Sequence, residues 1–445
     1  MIKQSGIHDF GFTLSSRVIS MVIGLGTQIS LAWLLGPADR GSFAVCLIFA
    51  TLLNVFCLVG CDIASVYFVS SKRFSLSEGV VYAFIYGGLG SLLGMLVGWL
   101  LLHLPLSYWE KASTDSFYLS LFLVPTMVFS YTLLQLVTAV HRFGWAAFFT
   151  TLESLMILIF TLGFLWWFRL GVMGALLGLI CGHLLIVLNI LFFFRKHYSL
   201  AWVRPQRARL KEMFSYGLRY YLGKISNLVN LEIGTIILAF FATREQVGIF
   251  SVASQITSRT MVIPTSLITV LIPKVAANES GRKELIAKCC RLTFQIMLIA
   301  MGVLAIVARP LVEILFSPEF APAAILIQIM TIGIVIRSIG KVLVPYMLGT
   351  NRPGISSTSV AVGAVVNIIA LWILLPILGL SGAAVAMVIG FLASTLILLV
   401  YFIRMTKCSI HELLIFRKTD WLSIYSFIKD VFKKVKSKFK PEPTI

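Results

Sequence analysis

Charge is scarce in this chain, and negative charge is scarcer still. Of 445 residues 12% are charged, with 18 Asp and Glu against 37 Lys and Arg, while 59% are hydrophobic and the mean hydropathy is +0.96. A soluble domain of this length would have too little polar surface to stay dissolved, so lipid is its main solvent. The residues of common enzyme sites are also missing: no phosphate-binding glycine loop, no His-rich metal cluster and no nucleophile motif occurs. The largest outward loop, residues 102–116, offers only His103, Glu110 and Asp115, thin material for catalysis. No catalytic residue, cofactor or metal is therefore expected. The seven cysteines (Cys46, Cys57, Cys61, Cys181, Cys289, Cys290 and Cys408) are odd in number and mostly sit within or beside apolar runs, which argues against a disulfide framework and a zinc site. No cleavable secretion signal is visible, because the short polar start leads into an apolar run too long for one; the first helix is expected to stay as an anchor.

What the chain does have is a repeat. LAWLLGPADRGSFAV (31–45) returns as LAFFATREQVGIFSV (238–252), and GVMGA (171–175) as GLSGA (379–383), at offsets of 207 and 208 residues. Two copies of one membrane unit facing each other across a cavity is how many secondary transporters are built. About twelve runs reach the roughly 20 apolar residues that a helix needs to span a bilayer. They fall near 11–35, 42–70, 79–102, 117–140, 148–167, 172–194, 214–241, 247–272, 292–312, 321–348, 360–378 and 382–402. The expectation is an all-α polytopic membrane protein of about twelve transmembrane helices, in two pseudo-symmetric six-helix lobes around a central cavity.

Basic residues set the orientation. Arg195, Lys196, Arg204, Arg207, Arg209 and Lys211 cluster between the sixth and seventh spans, and Lys274, Arg282, Lys283, Lys288 and Arg291 follow the eighth. Lys72, Arg73, Arg142, Arg352 and the Lys-rich tail fall on the same side, whereas the opposite loops hold mainly Arg40, Lys111, Arg169, Arg244 and Arg309, partly offset by acids. The positive-inside rule then makes both termini cytoplasmic. The formal charge of +19 is largely topology and headgroup contact, and implies no nucleic acid. The chain divides into an N-terminal lobe (1–197), a basic linker (198–212), a C-terminal lobe (213–406) and a basic tail (407–445), in which residues 421–435 read as an amphipathic surface helix.

GPADRGSFAV after the first span, REQVGIFSVASQI (244–256) after the seventh, LVEILFSPEFAPAA (311–324) between the ninth and tenth, and LGLSGAAVAMVIG (378–390) at the twelfth follow one another in order. With these motifs the chain resembles the polysaccharide transporter, or Wzx-type O-antigen flippase, family of the multidrug/oligosaccharidyl-lipid/polysaccharide exporter superfamily. The resemblance implies a carrier that moves an undecaprenyl-pyrophosphate-linked oligosaccharide from the cytoplasmic to the outer leaflet of a bacterial inner membrane. It also implies membrane lipids, a proton or sodium counter-ion and polysaccharide polymerases as partners. Alternatives are a drug or metabolite exporter of the same superfamily, which would favour an acidic, aromatic pocket, and a membrane glycan polymerase or ligase, against which the repeats and the short outer loops count. A lipid II flippase is a neighbouring possibility, with fourteen spans typical of those relatives.

A pyrophosphate and sugars need a polar, cationic interior, so the charges inside the spans become the candidate site. An unpaired charge there costs about 2.5–3.5 kcal/mol on insertion scales and should face a cavity or a partner. The cations are Arg17, Arg219, Lys224, Arg259, Arg337 and Lys341. Arg17 aligns with Lys224 under the 207-residue offset, Arg337 and Lys341 share a helix face, and Arg259 lies one turn from Gln255. Arg17, Arg219 and Lys341 are near enough to span ends to snorkel to headgroups instead. The acids Asp62, Glu153 and Glu232 are read as charge partners or ion-coupling groups: Glu232 faces Lys224, and Asp62 or Glu153 would pair with Arg17 or Arg259. His183 is expected to be hydrogen-bonded structure. Gly87, Gly88, Gly90, Gly94 and Gly98 form a small-residue face on the third span, and Pro264, Pro273 and Pro345 mark kinks or hinges.

Overall fold

The computed structural model describes residues 2–262, 264–265, 281–350 and 352–415, and every regular element among them is helical. The helices are α1 (Ile2–Leu58), α2 (Cys61–Ser70), α3 (Leu76–Leu102), α4 (Thr114–Ala139), α5 (Phe143–Trp166), α6 (Gly171–His197), α7 (Arg207–Phe241), α8 (Arg244–Arg259), α9 (Arg282–Leu315), α10 (Ala323–Gly349), α11 (Pro353–Thr406) and α12 (Ile410–Leu414). In a bilayer a helix satisfies its mid-span backbone groups internally, one of the two ways in which a chain can cross hydrocarbon.

Eight of the described helical stretches are long and apolar enough to cross a membrane. The sequence expectation of twelve passes is reconciled by two kinks and two broken spans. α1 consists of two limbs meeting at Gly36, and α11 of two limbs meeting at Gly379, so each makes two passes. The second limb of α1 is followed by α2, and α7 and α8 correspond to the seventh and eighth expected passes, of which residues 263 and 266–272 lie outside the described residues. Helix starts are written locally: Ser75 and Glu78 form a reciprocal capping box on α3, as do Thr243 and Gln246 on α8.

Helices α1 to α6 pack on one another as one lobe. In the other, α10 packs on α8, α9 and α11, and α11 packs on α7. The lobes meet where α1 crosses α8 and where α2 lies along α7. With no hydrophobic drive between helices in lipid, close packing relies on small residues. The glycine face expected on the third span does this: a Cβ at Gly90 would sit 2.5 Å from the Cys57 carbonyl oxygen, and one at Gly94 2.1 Å from Cys57 Sγ. Gly88, by contrast, faces open space. The loop between α3 and α4 folds in as a short 3₁₀ turn (Ser107–Lys111) whose Tyr108 hydroxyl donates to the Val45 carbonyl at 2.9 Å.

The repeat is visible in the backbone. Gly171 and Gly379, equivalent at an offset of 208, have φ of 55° and 58°, a left-handed turn that glycine adopts without a Cβ penalty. Leu31 and Leu238, Phe43 and Phe250, and Val45 and Val252 are each buried at both copies. The span expected at 42–70 is broken at Val59 and Gly60 (φ 44° and 74°), where the Gly217 carbonyl of α7 comes within 2.3 Å of a Cβ at position 60. Only glycine permits both that φ and that approach. Residues 416–445, and with them the tail helix expected at 421–435, lie outside the described residues, as does Pro273; Pro345 lies within α10.

Candidate functional site

Where α1 crosses α8 between the two lobes, the repeat packs against itself. A Cβ at Gly41 would lie 1.8 Å from the Arg244 carbonyl oxygen, and one at Gly248 2.0 Å from the Pro37 carbonyl oxygen. Gly41 and Gly248 are equivalent at the 207-residue offset, and so are Pro37 and Arg244. A local two-fold axis therefore passes between these four residues, and the missing side chains let the backbones touch.

Below this crossing, between α1, α7 and α8, lies a cavity of about 370 Å³. Its lining obeys the same symmetry: Gln28 pairs with Thr235, Ala44 with Ser251, Leu47 with Ser254, Ile48 with Gln255 and Thr51 with Ser258. The backbone positions repeat, Gln28 and Thr235 as well as Thr51 and Ser258 are polar in both copies, and the other three pairs differ in chemistry. The first repeat contributes Ala44, Leu47 and Ile48, whereas the second contributes Ser251, Ser254 and Gln255 at the same places. Glu232 and Arg259 extend the polar wall.

Arg259 reaches from one lobe onto the other. Its Nη1 donates to the Met21 carbonyl at 3.4 Å, and the guanidinium rests over Gly24, where a Cβ would be 3.2 Å away. One carbonyl leaves most of its five donors for another acceptor. Glu232 shares the cavity, with no salt bridge to Arg259 among the described residues. Behind Gln28 stands Arg40, expected in an outer loop from sequence and found 0% exposed. It donates to Gln28 Oε1 and lies over Phe43, 5.2 Å from the ring centroid, with Nε and Nη1 lacking a hydrogen-bond partner. Because arginine only donates, this contact fixes the Gln28 amide so that its own donors remain for the cavity. The signal that places Arg40 inside is the repeat: it aligns with Val247, which is also 0% exposed.

The other sequence candidates separate. Arg337 and Lys341 line a different crevice inside the second lobe. The side chains of Arg17, Arg219 and Lys224 lie outside the described residues, and with them the Lys224–Glu232 pairing. Glu153 accepts from or shares a proton with His183, at 2.8 Å from Nδ1, in the core of the first lobe, and Ser130 Oγ is 3.1 Å from the same nitrogen. The carboxylate considered for Arg17 or Arg259 thus has His183 as its described partner, and His183 is hydrogen-bonded as expected. Asp62 is buried in the first turn of α2, where the helix dipole favours a carboxylate. On the opposite edge from the glycine crossing, Tyr67 stacks on Tyr216 with centroids 4.6 Å apart, Arg73 meets Glu212 at 3.4 Å, and Arg209 pairs with Glu78.

The fold is shared with known transporters. A multidrug-resistance MATE transporter of the MOP superfamily in an inward-facing conformation superposes with a TM-score of 0.72 at 17% identity, covering 88% of this chain and 97% of that one. The lipid II flippase MurJ superposes at 0.69 with 16% identity, over 97% of this chain and 93% of that one. Among curated sequences, an uncharacterized membrane protein of Methanocaldococcus jannaschii (MJ1068) is 28% identical over 199 residues, 42% of this chain and 38% of its own. The probable low-salt glycan biosynthesis flippase Agl15 of Haloferax volcanii is 22% identical over 199 residues, 44% of this chain and 42% of its own. These matches span about two fifths of either relative. The family model described as polysaccharide biosynthesis protein matches residues 7–279, both sides of the two-fold crossing and the whole cavity lining included, and the chain belongs to that family.

Proposed function

We propose that this protein is a flippase for a lipid-linked oligosaccharide, working by alternating access. The observation that carries the reading is the inter-lobe cavity, whose two walls are built on symmetric positions but differ in polarity at three of the five pairs. The cargo is amphipathic in the same sense. Arg259 is suited to grip a pyrophosphate bidentately, and Ser254, Gln255, Ser258 and Gln28 offer partners for sugar hydroxyls. Ala44, Leu47 and Ile48 give an apolar wall for sugar C–H faces and the first units of the lipid. Ligand pockets run from about 300 to 1,000 Å³, so 370 Å³ admits a pyrophosphate with its proximal sugar, and longer glycans require the lobes to part. The family's description and the glycan-biosynthesis role named for the Haloferax volcanii relative support a glycan cargo.

In its specific form the proposal is an undecaprenyl-pyrophosphate-linked O-antigen or similar unit, carried from the inner to the outer leaflet of a bacterial inner membrane. Lobe 1–197 rocks against lobe 213–406, the linker 198–212, the tail 407–445 and both termini being cytoplasmic. The test is flipping of such a lipid by purified protein in liposomes, scored by access of an impermeant sugar-modifying enzyme to the labelled headgroup. Protein-dependent flipping should be lost in Arg259→Ala and partly kept in Arg259→Lys, which retains charge without the bidentate fork. Full activity of the alanine variant would remove Arg259 from the substrate site.

A further inference from the structure

Arg337 and Lys341 occupy a crevice of their own, between α10 and the two limbs of α11, sharing no lining residue with the inter-lobe cavity. Four residues apart, they project from one face of α10. Arg337 is 9% exposed, and its Nη1 has no hydrogen-bond partner among the described residues. The Phe391 ring covers one face of the guanidinium, 4.5 Å from centroid to Cζ. Ser359, Ser394 and Thr395 supply hydroxyls to the rest of the wall, donating to the carbonyls of Ser356 (2.8 Å), Phe391 (3.0 Å) and Ile336 (3.3 Å). Among the described residues no carboxylate lines the crevice.

Two cations one turn apart in an apolar lobe repel each other, and each is disfavoured by leaving water. The aromatic contact offsets part of this for Arg337 and nothing for Lys341. Nor is a balancing acid available nearby among the described residues: in 213–406 the one described carboxylate away from a helix end is Glu232, which faces the inter-lobe cavity. Among the described residues no acidic side chain meets this charge, which leaves room for a small ligand of opposite sign.

We propose that this crevice binds one small inorganic anion, of chloride to phosphate size, between the Arg337 guanidinium and the Lys341 ammonium. The hydroxyls of Ser359, Ser394 and Thr395 turn from their carbonyls to donate to it. Its volume is about 50 Å³. On a scale where one water needs about 10–15 Å³, that takes such an anion with a water or two, but neither a sugar nor a lipid headgroup. Because the anion touches α10 and both limbs of α11, it fastens three passes into the rigid body that alternating access requires.

The experiment uses the full chain purified in detergent with sodium gluconate, an anion too large for the crevice, and follows thermal unfolding as sodium chloride or sodium phosphate replaces it. A saturable rise in midpoint with at least one of the two anions is expected in the wild type and in Arg259→Gln, and should be absent in Lys341→Met and Arg337→Gln. If Arg337→Gln does not yield folded protein, Lys341→Met decides, since Lys341 is only half-buried. A wild type with no saturable rise for either anion overturns the proposal, as does a rise undiminished in Lys341→Met. A rise lost in Arg259→Gln but kept in Lys341→Met moves the anion to the inter-lobe cavity and overturns it too. The readout is independent of flipping, so it stands or falls apart from the substrate assignment.

Discussion

Adding one methyl group at the two-fold crossing should open it. The Cβ of Gly41→Ala would lie 1.8 Å from the Arg244 carbonyl oxygen and 2.7 Å from its carbon, and both obstacles are backbone, so no rotamer relieves them. The helices must part by roughly 1.5 Å to recover van der Waals distance, and overpacking of this kind costs about 1–3 kcal/mol. The cost falls only on conformations in which the crossing is closed, so the equilibrium moves toward open-crossing states by about 5- to 150-fold. Gly248→Ala meets the Pro37 carbonyl at 2.0 Å and should do the same. A single reporter cysteine at Gln255, which lines the cavity, can be labelled by an impermeant maleimide added from the face of the membrane nearest the crossing. Labelling should rise in both glycine variants. Unchanged labelling in inserted protein would refute the gate, and a rise in one variant without the other would refute the two-fold relation from which the effect is derived.

Three further outcomes follow from particular contacts. His183→Ala strands the Glu153 carboxyl in the core of the first lobe, and should lower the thermal midpoint by the equivalent of about 1–3 kcal/mol while flipping persists; an unchanged midpoint would mean the pair is not structural. Glu232→Gln should change the response of flipping to an imposed proton or sodium gradient if the cavity acid exchanges an ion, whereas an unaltered response would leave it as a counter-charge. Burial, and then the bond to Glu412 Oε2 at 2.9 Å, push the Cys408 thiol up to about 11, so near pH 8 only about a thousandth is thiolate and maleimide should label it slowly. Arg291→Ala, which removes a 2.6 Å bond to the Glu412 carbonyl, should free α12 and speed that labelling; fast labelling of the intact protein would contradict the docked helix.

The two-lobed architecture was legible because a duplicated sequence writes itself twice: the offset of 207 correctly pairs Gly41 with Gly248 and every equivalent position around the cavity. The breaks were less so. Nothing in an apolar run says that Val59 and Gly60 leave the helix, since that depends on the approach of Gly217 from a helix more than 150 residues later. Arg259 was identifiable from its depth in a span, but Arg40 was not, because an arginine after GPAD reads as a loop residue until the repeat aligns it with buried Val247. Similarly, Arg337 and Arg259 look alike in sequence, and only packing assigns them to separate cavities.

A duplicated backbone with an unequal lining has a mechanical consequence. If two lobes related by a two-fold axis carried identical side chains, a bound cargo would be held equally by both walls throughout. Here the scaffold positions repeat at the crossing and around the cavity, whereas the polar groups Ser251, Ser254, Gln255 and Arg259 sit on α8 alone. On the proposed reading most headgroup contacts would stay with one lobe as the lobes move, Gln28 and Thr51 being the polar lining groups on the other. Arg259 is the exception that links them, since its bond to the Met21 carbonyl must break for the lobes to separate there. An anionic headgroup that draws the guanidinium away from Met21 would release that contact, so binding of the cargo would itself favour the opening by which it leaves.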